Sequence, residues 1–518
     1  MNKLNTDFDQ PTSVASAINL AASLVNALVI GIVFLILVTL ATPNQLGAYT
    51  GIIFIGEIGV LVAVLGWNET GSWQIARLLG REKKQTVPAA SRGLLAAASF
   101  QAMIVLLFII AFSQYLNEVF LKSSVGEPIL SILGIGIILH TVGTVGFGIL
   151  MGQHRIKAYS TFSLFSILVG QLSGLVLFYV MRDVLALAIG WTLGGVVHAS
   201  SVFILDLLKK CEISIQWPDR KLIRYTFAIF FSHILLFFSR WIDRYLLIIF
   251  RTQREVGVYS LPITFWSFVS YIPLALYVSL IPKLIRAEEK GETEQFEDML
   301  KTGVSMLIFS LIALSIFIVP LSEFIIGFVG GVEFIEGGRA LQILTLGFPF
   351  YGISLILGGS LKAKGKAYLT AGSSLAGVIC GVVMGLVLIP VFGLIGAACS
   401  STLSHVISSI LAGVFTRSSV SNWLDIRPQI LLLVSSVPSL VLLFIAAQTS
   451  NVLFILSIVG VALILEFLMW RRLRVINPKW ILLIEPLLPH QATTFIRRIL
   501  LAECESDYSN PFSESSDA

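Results

Sequence analysis

Along the chain, polar and charged residues gather in short clusters between long apolar runs, and the runs recur at the spacing of membrane-crossing helices. A helix rising 1.5 Å per residue needs about 20 apolar residues to cross roughly 30 Å of hydrocarbon. Runs of that kind lie near 13–41, 47–66, 90–113, 128–151, 159–181, 184–206, 222–250, 255–282, 300–322, 340–362, 366–389, 392–414, 428–446 and 452–470. The pattern predicts an all-α integral membrane protein with about fourteen transmembrane helices. Connections such as Thr42 to Leu46 and Val391 are only a few residues long, so neighbouring spans must run antiparallel, with no folded domain between them. The first run, Ser13 to Ala41, has 29 residues without a charge. The apolar core of a cleaved signal peptide has roughly 7–15, so this run reads as a retained span.

Composition supports that solvent. Apolar residues make up 56% of the 518 and charged residues 13%, against about 25% charged in soluble domains. Charge placement then orients the chain, because Lys and Arg collect on the cytoplasmic side. With the N-terminus inside, the inner segments hold 28 of the 35 Lys and Arg. Only Lys122, Arg182, Arg240, Arg244, Arg251, Arg254 and Arg339 fall on the outer side. Both termini are therefore expected in the cytoplasm. Residues 471–502, basic with an apolar stripe (Phe495, Ile496, Ile499, Leu500), suit a helix lying on the inner surface. Residues 503–518, with five carboxylates and no base, read as disordered.

The pattern also repeats. Leu46-Gly47-Ala48-Tyr49-Thr50 opens the second span and Val256-Gly257-Val258-Tyr259-Ser260 the eighth, with the tyrosines 210 residues apart. Lys157-Ala158-Tyr159 recurs as Lys366-Ala367-Tyr368, and Gly174-Leu175-Val176-Leu177 as Gly385-Leu386-Val387-Leu388, at nearly the same offset. Six spans per repeat is an even number, so both halves run the same way across the bilayer. The expected organisation is a six-helix bundle over 1–210, a second over 211–420, two additional spans over 421–470 and a cytoplasmic tail over 471–518. Parallel repeats of this kind suit two pseudo-symmetric bundles rocking about a central cavity.

Two stretches carry a family resemblance. Ser239-Arg240-Trp241-Ile242-Asp243-Arg244-Tyr245-Leu246-Leu247, followed by Val256-Gly257-Val258-Tyr259-Ser260, resembles the seventh-to-eighth span signature of the polysaccharide transporters. These are the Wzx-type O-antigen flippases of the multidrug/oligosaccharidyl-lipid/polysaccharide (MOP) exporter superfamily. Ile389-Pro390-Val391-Phe392-Gly393-Leu394-Ile395-Gly396-Ala397-Ala398 resembles the link between their eleventh and twelfth spans. The resemblance covers roughly 13–415. It implies a flippase that moves a polyprenyl-phosphate- or pyrophosphate-linked oligosaccharide across the cytoplasmic membrane by alternating access, for surface polysaccharide synthesis. It implies no chemistry on the cargo, no cofactor and no nucleic acid. Polysaccharide polymerase or glycosyltransferases would be its partners.

Ionisable residues inside spans mark cavities or partners. Glu57 sits mid-span with no acid or base within eight residues; it reads as a proton or sugar-hydroxyl site, or as a hydrogen bond to another helix. Arg240, Asp243 and Arg244, at i, i+3 and i+4, share one helix face. They suit either a carrier pyrophosphate, which arginine grips bidentately, or an outer-interface ion pair. Spans two, four and eight offer no further cavity base beyond His140. Lys362, Lys364 and Lys366 read as a topology determinant or as a phosphate contact at the inner opening. His140, His198, His233 and His405 read as core histidines, without metal spacing on one helix, and the four cysteines show no disulfide or metal spacing. Glu466 reads as a packing or partner surface outside the repeat.

Enzyme readings meet obstacles. A membrane glycosyltransferase needs acidic residues in an early external loop, and Thr42 to Leu46 has none; a polymerase uses a large external loop, and the longest here is under twenty residues. A cation-coupled multidrug exporter of the same superfamily is the closer alternative. Many of those carry a carboxylate in the first span, where this chain offers only Asn19 and Asn26.

Overall fold

The computed structural model describes residues 12–205, 215–420, 422–449, 451–473 and 480. These residues form eighteen α-helices and no strand. In lipid every backbone polar group must be satisfied within its own segment, and helices achieve this. Most of the predicted tail, 474–479 and 481–518, lies outside the described residues.

The chain divides into two compact units, the first made of Met1–Thr264, Ile326–Ala340 and Gly381–Ser400. It holds α1 (Thr12–Leu40), α2 (Pro43–Val64), α3 (Trp67–Gly80), α4 (Val87–Ala111), the single turn α5 (Ser113–Leu116), α6 (Gly126–Gly152), α7 (Ile156–Met181), α8 (Leu185–Ser200), α9 (Arg220–Phe250) and most of α10 (Gln253–Val269). Local chemistry sets several starts. Thr42 and Gln45 form a capping box in front of α2, with Pro43 at the first helical position. Asp219 caps α9 by accepting from the backbone N–H of Leu222.

Helices α7 and α8 pack through small residues. Gly170 and Gly174 on one face Gly190 and Gly194 on the other, so closely that a methyl on Gly190 would lie 2.3 Å from Gly174 Cα. Without a hydrophobic drive between helices in lipid, such close backbone approach is what holds a pair together. The two repeat motifs meet in the same manner at the starts of α2 and α10. A methyl on Gly47 would lie 2.0 Å from the carbonyl oxygen of Gln253, and one on Gly257 would lie 1.8 Å from that of Pro43. The crossing is thus built twice from equivalent residues.

The second unit comprises Phe265–Ile325, Leu341–Cys380 and Ser401–Ala518. Its helices are α11 (Tyr271–Glu289), most of α12 (Thr293–Gly330), α13 (Gly337–Ala363), α14 (Ala367–Phe392) and α15 (Leu394–Arg417), then α16 (Arg427–Ser435), α17 (Val437–Ala447) and α18 (Val452–Arg472). The helices beyond the repeat pack on α12 through Leu432 against Phe309 and Ile316, and through Leu443, Ala446, Ile455 and Ala462 against Leu321. Glu466, on α18, is buried, 1% exposed.

A single interhelical bond recurs in both units. Thr192 Oγ1 of α8 donates to the carbonyl of Ile132 on α6 at 3.2 Å, and Thr402 Oγ1 of α15 to that of Ile343 on α13 at 3.0 Å. Each threonine sits beside a glycine of its partner helix, Gly136 or Gly347. These contacts tie the sequence repeat to repeated packing.

Twelve helices among the described residues are long and apolar enough to cross a membrane, or thirteen with α16 and α17, bent by 47°, as one span. The remaining position of the fourteen-run pattern is α1, whose Val25–Leu40 stretch is apolar but shorter. Two spans run past their expected ends. After α2 the chain turns through Leu65 and Gly66, both at positive φ, and continues as α3. The eighth run breaks at Ser270, and α11 carries Pro273 in its first turn, where the missing N–H costs no helical bond.

Candidate functional site

Among the described residues, a cavity of about 360 Å³ lies in the first unit, between α2, α3, α6, α8 and α9. Glu57 of α2, His140 of α6, Trp191 of α8, and His233 and Arg240 of α9 line it, with Val60, Leu236 and Phe237 as apolar wall. Three of the residues singled out in the sequence, Glu57, His140 and Arg240, therefore come together from three helices.

Each is held differently. Glu57 Oε2 accepts a hydrogen bond from the indole N–H of Trp241 at 2.8 Å. Trp241 is fixed by the aromatic cluster around Phe54, with Phe120, Phe237 and Tyr245. The Arg240 guanidinium is exposed and has no acidic partner among the described residues. His233 Nε2 lies 2.9 Å from Glu69 Oε1 on α3, closing the adjoining wall with an ion-pair-competent contact. His140 pairs with His198, Nδ1 to Nδ1 at 3.1 Å.

Of the face expected for Arg240, Asp243 and Arg244, the last two stay together, Arg244 Nε lying 3.9 Å from Asp243 Oδ1, while Arg240 lines the cavity. Asp243 is only 4% exposed; its Oδ2 accepts from the Tyr259 hydroxyl at 2.7 Å. The Arg244 guanidinium lies over the Trp241 ring at 3.8 Å and donates to the Arg240 carbonyl. Positions i, i+3 and i+4 spread over roughly 100° of helix circumference, enough for three neighbours. Among the described residues the arrangement gives one free cation in the cavity, one cation stacked on the residue that holds Glu57, and one carboxylate used inside the fold.

The lysine triplet closes α13 and leads into α14 in the second unit. Lys364 Nζ lies 2.8 Å from Glu288 and over the Phe296 ring, and Lys366 bonds Ser419. Lys362 is exposed. Among the described residues no three His, Cys, Asp or Glu side chains converge as a metal site would require.

Sequence reasoning named His198 and His233 only as core histidines and missed what they pair with, His140 and Glu69, as well as the roles of tryptophans 191 and 241. One signal was present. His140 is followed three residues later by Gly143, and His198 is preceded by Gly195 at the same distance, a mirrored spacing whose use appears once α6 and α8 are packed.

The fold is like that of solved membrane transporters, one of them described as a member of the MOP superfamily. Lipid II flippase MurJ in an inward closed conformation matches with a TM-score of 0.69 at 15% identity, over 88% of this chain and 99% of that one. An inward-facing multidrug resistance MATE family transporter matches at 0.60 and 14%, over 79% and 98%. The MatE family profile matches residues 228–387. In sequence the chain is 25% identical over 325 residues to the "Probable low-salt glycan biosynthesis flippase Agl15" of Haloferax volcanii. That alignment takes in 61% of this chain and 66% of the relative, just under two thirds of its length.

Proposed function

We propose that the protein is a flippase of the polysaccharide branch, translocating a lipid-linked oligosaccharide on a polyprenyl phosphate or pyrophosphate by alternating access. The observation that carries this reading is the cavity among membrane-spanning helices, lined by a free arginine, a carboxylate and two histidines. A sugar headgroup crossing hydrocarbon loses several kcal/mol for each unpaired polar group; polar walls replace that hydration while the prenyl tail stays in lipid. Arg240 would take the anionic headgroup, with Arg244 as a further cation on the same helix, and Lys362, Lys364 and Lys366 would serve as a phosphate contact at the inner opening. The Agl15 and MurJ similarities support the cargo class. On this reading the protein sits in the cytoplasmic membrane, both termini inside, with bundles over 1–210 and 211–420. Polysaccharide polymerase or glycosyltransferases act on either side of its step, as in O-antigen synthesis.

The second reading is a cation-coupled multidrug exporter, favoured by the MatE match and by Glu57 as a carboxylate in the cavity. One experiment separates them: the leaflet location of the lipid-linked intermediate in cells lacking the protein and any homologous flippase. Retention on the inner leaflet supports the flippase. Normal outward appearance together with new sensitivity to cationic drugs transfers the assignment to the exporter.

A further inference from the structure

His140 and His198 come from different helices, 58 residues apart, and meet where His140 lines the cavity, with His198 behind it. Two ring nitrogens 3.1 Å apart share one hydrogen, so one donates and the other accepts. His140 Nε2 lies 3.0 Å from the backbone carbonyl of Trp191. A carbonyl only accepts, so Nε2 carries the hydrogen. In the neutral ring Nδ1 of His140 is then the acceptor, and Nδ1 of His198 the donor. This leaves a lone pair on His198 Nε2, an atom that is buried and has no hydrogen-bond partner. Buried polar atoms are nearly always satisfied, and an orphan asks for a reason.

The packing is made for the pair. Gly143 of α6 lies against the His198 ring, where a methyl would come within 2.4 Å of Cδ2; Gly195 of α8 lies against His140, where one would come within 3.1 Å. Each helix thus supplies a histidine and, three residues away, the glycine that seats its partner's. The His198 ring also packs, tilted, on Phe147 at 4.1 Å, and His140 in the same way on Trp191 at 4.3 Å.

We propose that His140 and His198 are a proton-binding pair that sets the charge of the cavity wall; its bearing on cargo rests on the transport reading above. A proton arrives at His198 Nε2, and the hydrogen on His198 Nδ1 passes to His140 Nδ1. His140 becomes the imidazolium, donating to Trp191 and to His198, while His198 is neutral with its hydrogen on Nε2. The pair takes a single proton, because a second charge so close would be strongly disfavoured. The positive charge ends on the ring that lines the cavity. Facing it there are Glu57 from α2, and His233 and Arg240 from α9, with Glu69 of α3 bonded to His233. From α7, Tyr159 packs on Phe147 beside His198; α4 contributes no residue to the cavity lining.

An added positive charge strengthens binding of an anionic headgroup and weakens binding of a cationic cargo, by about tenfold in the usual range of two-site coupling. The test uses the full-length protein in nanodiscs, with 15N-histidine spectra for protonation and two probes, inorganic pyrophosphate and tetraphenylphosphonium. The expected result is one coupled titration involving both rings, and pyrophosphate binding that tightens about tenfold on acidification. In His198→Gln the nitrogen at which the proton arrives is gone, His140 stays neutral over the same pH range and the affinity becomes flat with pH; His140→Gln, which removes the ring that carries the charge, also flattens it. Gly143→Ala, whose methyl would lie 2.4 Å from the His198 ring and 2.6 Å from its backbone, parts the two histidines and uncouples the titration without removing either imidazole. Two independent titrations in the wild type overturn the proposal, as does an unchanged pH slope in both glutamine variants. If only tetraphenylphosphonium binds, more weakly in acid, and His198→Gln removes that slope, the proton site stands and the flippase reading fails. If pyrophosphate binds with no pH dependence and the rings do not couple, the proton site fails and the flippase reading stands.

Discussion

Replacing Gly47 or Gly257 by alanine tests the doubly built crossing of α2 and α10. The added methyls would lie 2.0 and 1.8 Å from backbone carbonyl oxygens, where ordinary contact begins at 3.4 Å. Neither obstacle is a flexible side chain, so the helices must part by about 1.5 Å; overpacking of this kind costs ~1–3 kcal/mol. Alanine also returns roughly 0.5–1 kcal/mol of helix propensity, leaving a net loss centred on ~1 kcal/mol, and at most about 2.5 kcal/mol, for each variant. The double variant should lose less than the sum, since the first methyl already opens the crossing. Gly460→Ala is the control: it lies within α18 and its methyl would meet nothing within 4 Å. Thermal unfolding in detergent, followed by fluorescence, should place both crossing variants below wild type and the control at or above it. If Gly47→Ala and Gly257→Ala melt with Gly460→Ala, the close approach of the two repeat motifs does not exist.

Three further outcomes follow from the bonds described. Asp243→Ala strands the fully buried Tyr259 hydroxyl and Tyr259→Phe strands the Asp243 carboxylate, so each should cost ~1–3 kcal/mol in the same assay, with the pair sub-additive. Thr192→Val and Thr402→Val remove equivalent interhelical bonds and should destabilise equally, by about 0.6 kcal/mol each; a marked asymmetry would break the equivalence. Arg240→Gln, at an exposed side chain without an acidic partner, should abolish headgroup transport while leaving the melting temperature unchanged. Arg244→Gln, which loses its stacking on Trp241, should lower both; loss of stability in the first variant would make Arg240 structural.

The candidate site was legible only in part. Glu57, Arg240 and His140 stand out in the sequence because an ionisable group within an apolar run is costly in lipid and needs a cavity or a partner. Their partners do not stand out. Trp241 enters only as part of a signature and Tyr259 as part of a repeat, with nothing to say what either bonds, and His198 looks like one more core histidine. What makes them partners is the rotation of each helix about its axis, which the apolar pattern leaves almost free when lipid accepts every side. Arg240, Asp243 and Arg244 show the limit directly: spacing placed them on one face, and packing sent one to the cavity, one onto an indole and one to a buried tyrosine.

By itself the sequence determined the solvent, the number and order of the apolar runs, and the repeat, because these follow from run length and from residues at a fixed offset. It carried the glycines of the two crossings without saying what they approach. Tertiary structure alone decided that Gly47 meets the carbonyl of Gln253, that Gly143 and Gly195 seat a pair of histidines, and that Trp241 joins Glu57 to Arg244. The physical reason is range. Helix formation and membrane crossing depend on neighbours within one turn or one span, whereas a cavity exists only where several helices, each indifferent alone to its rotation, are fixed together by a few close backbone contacts.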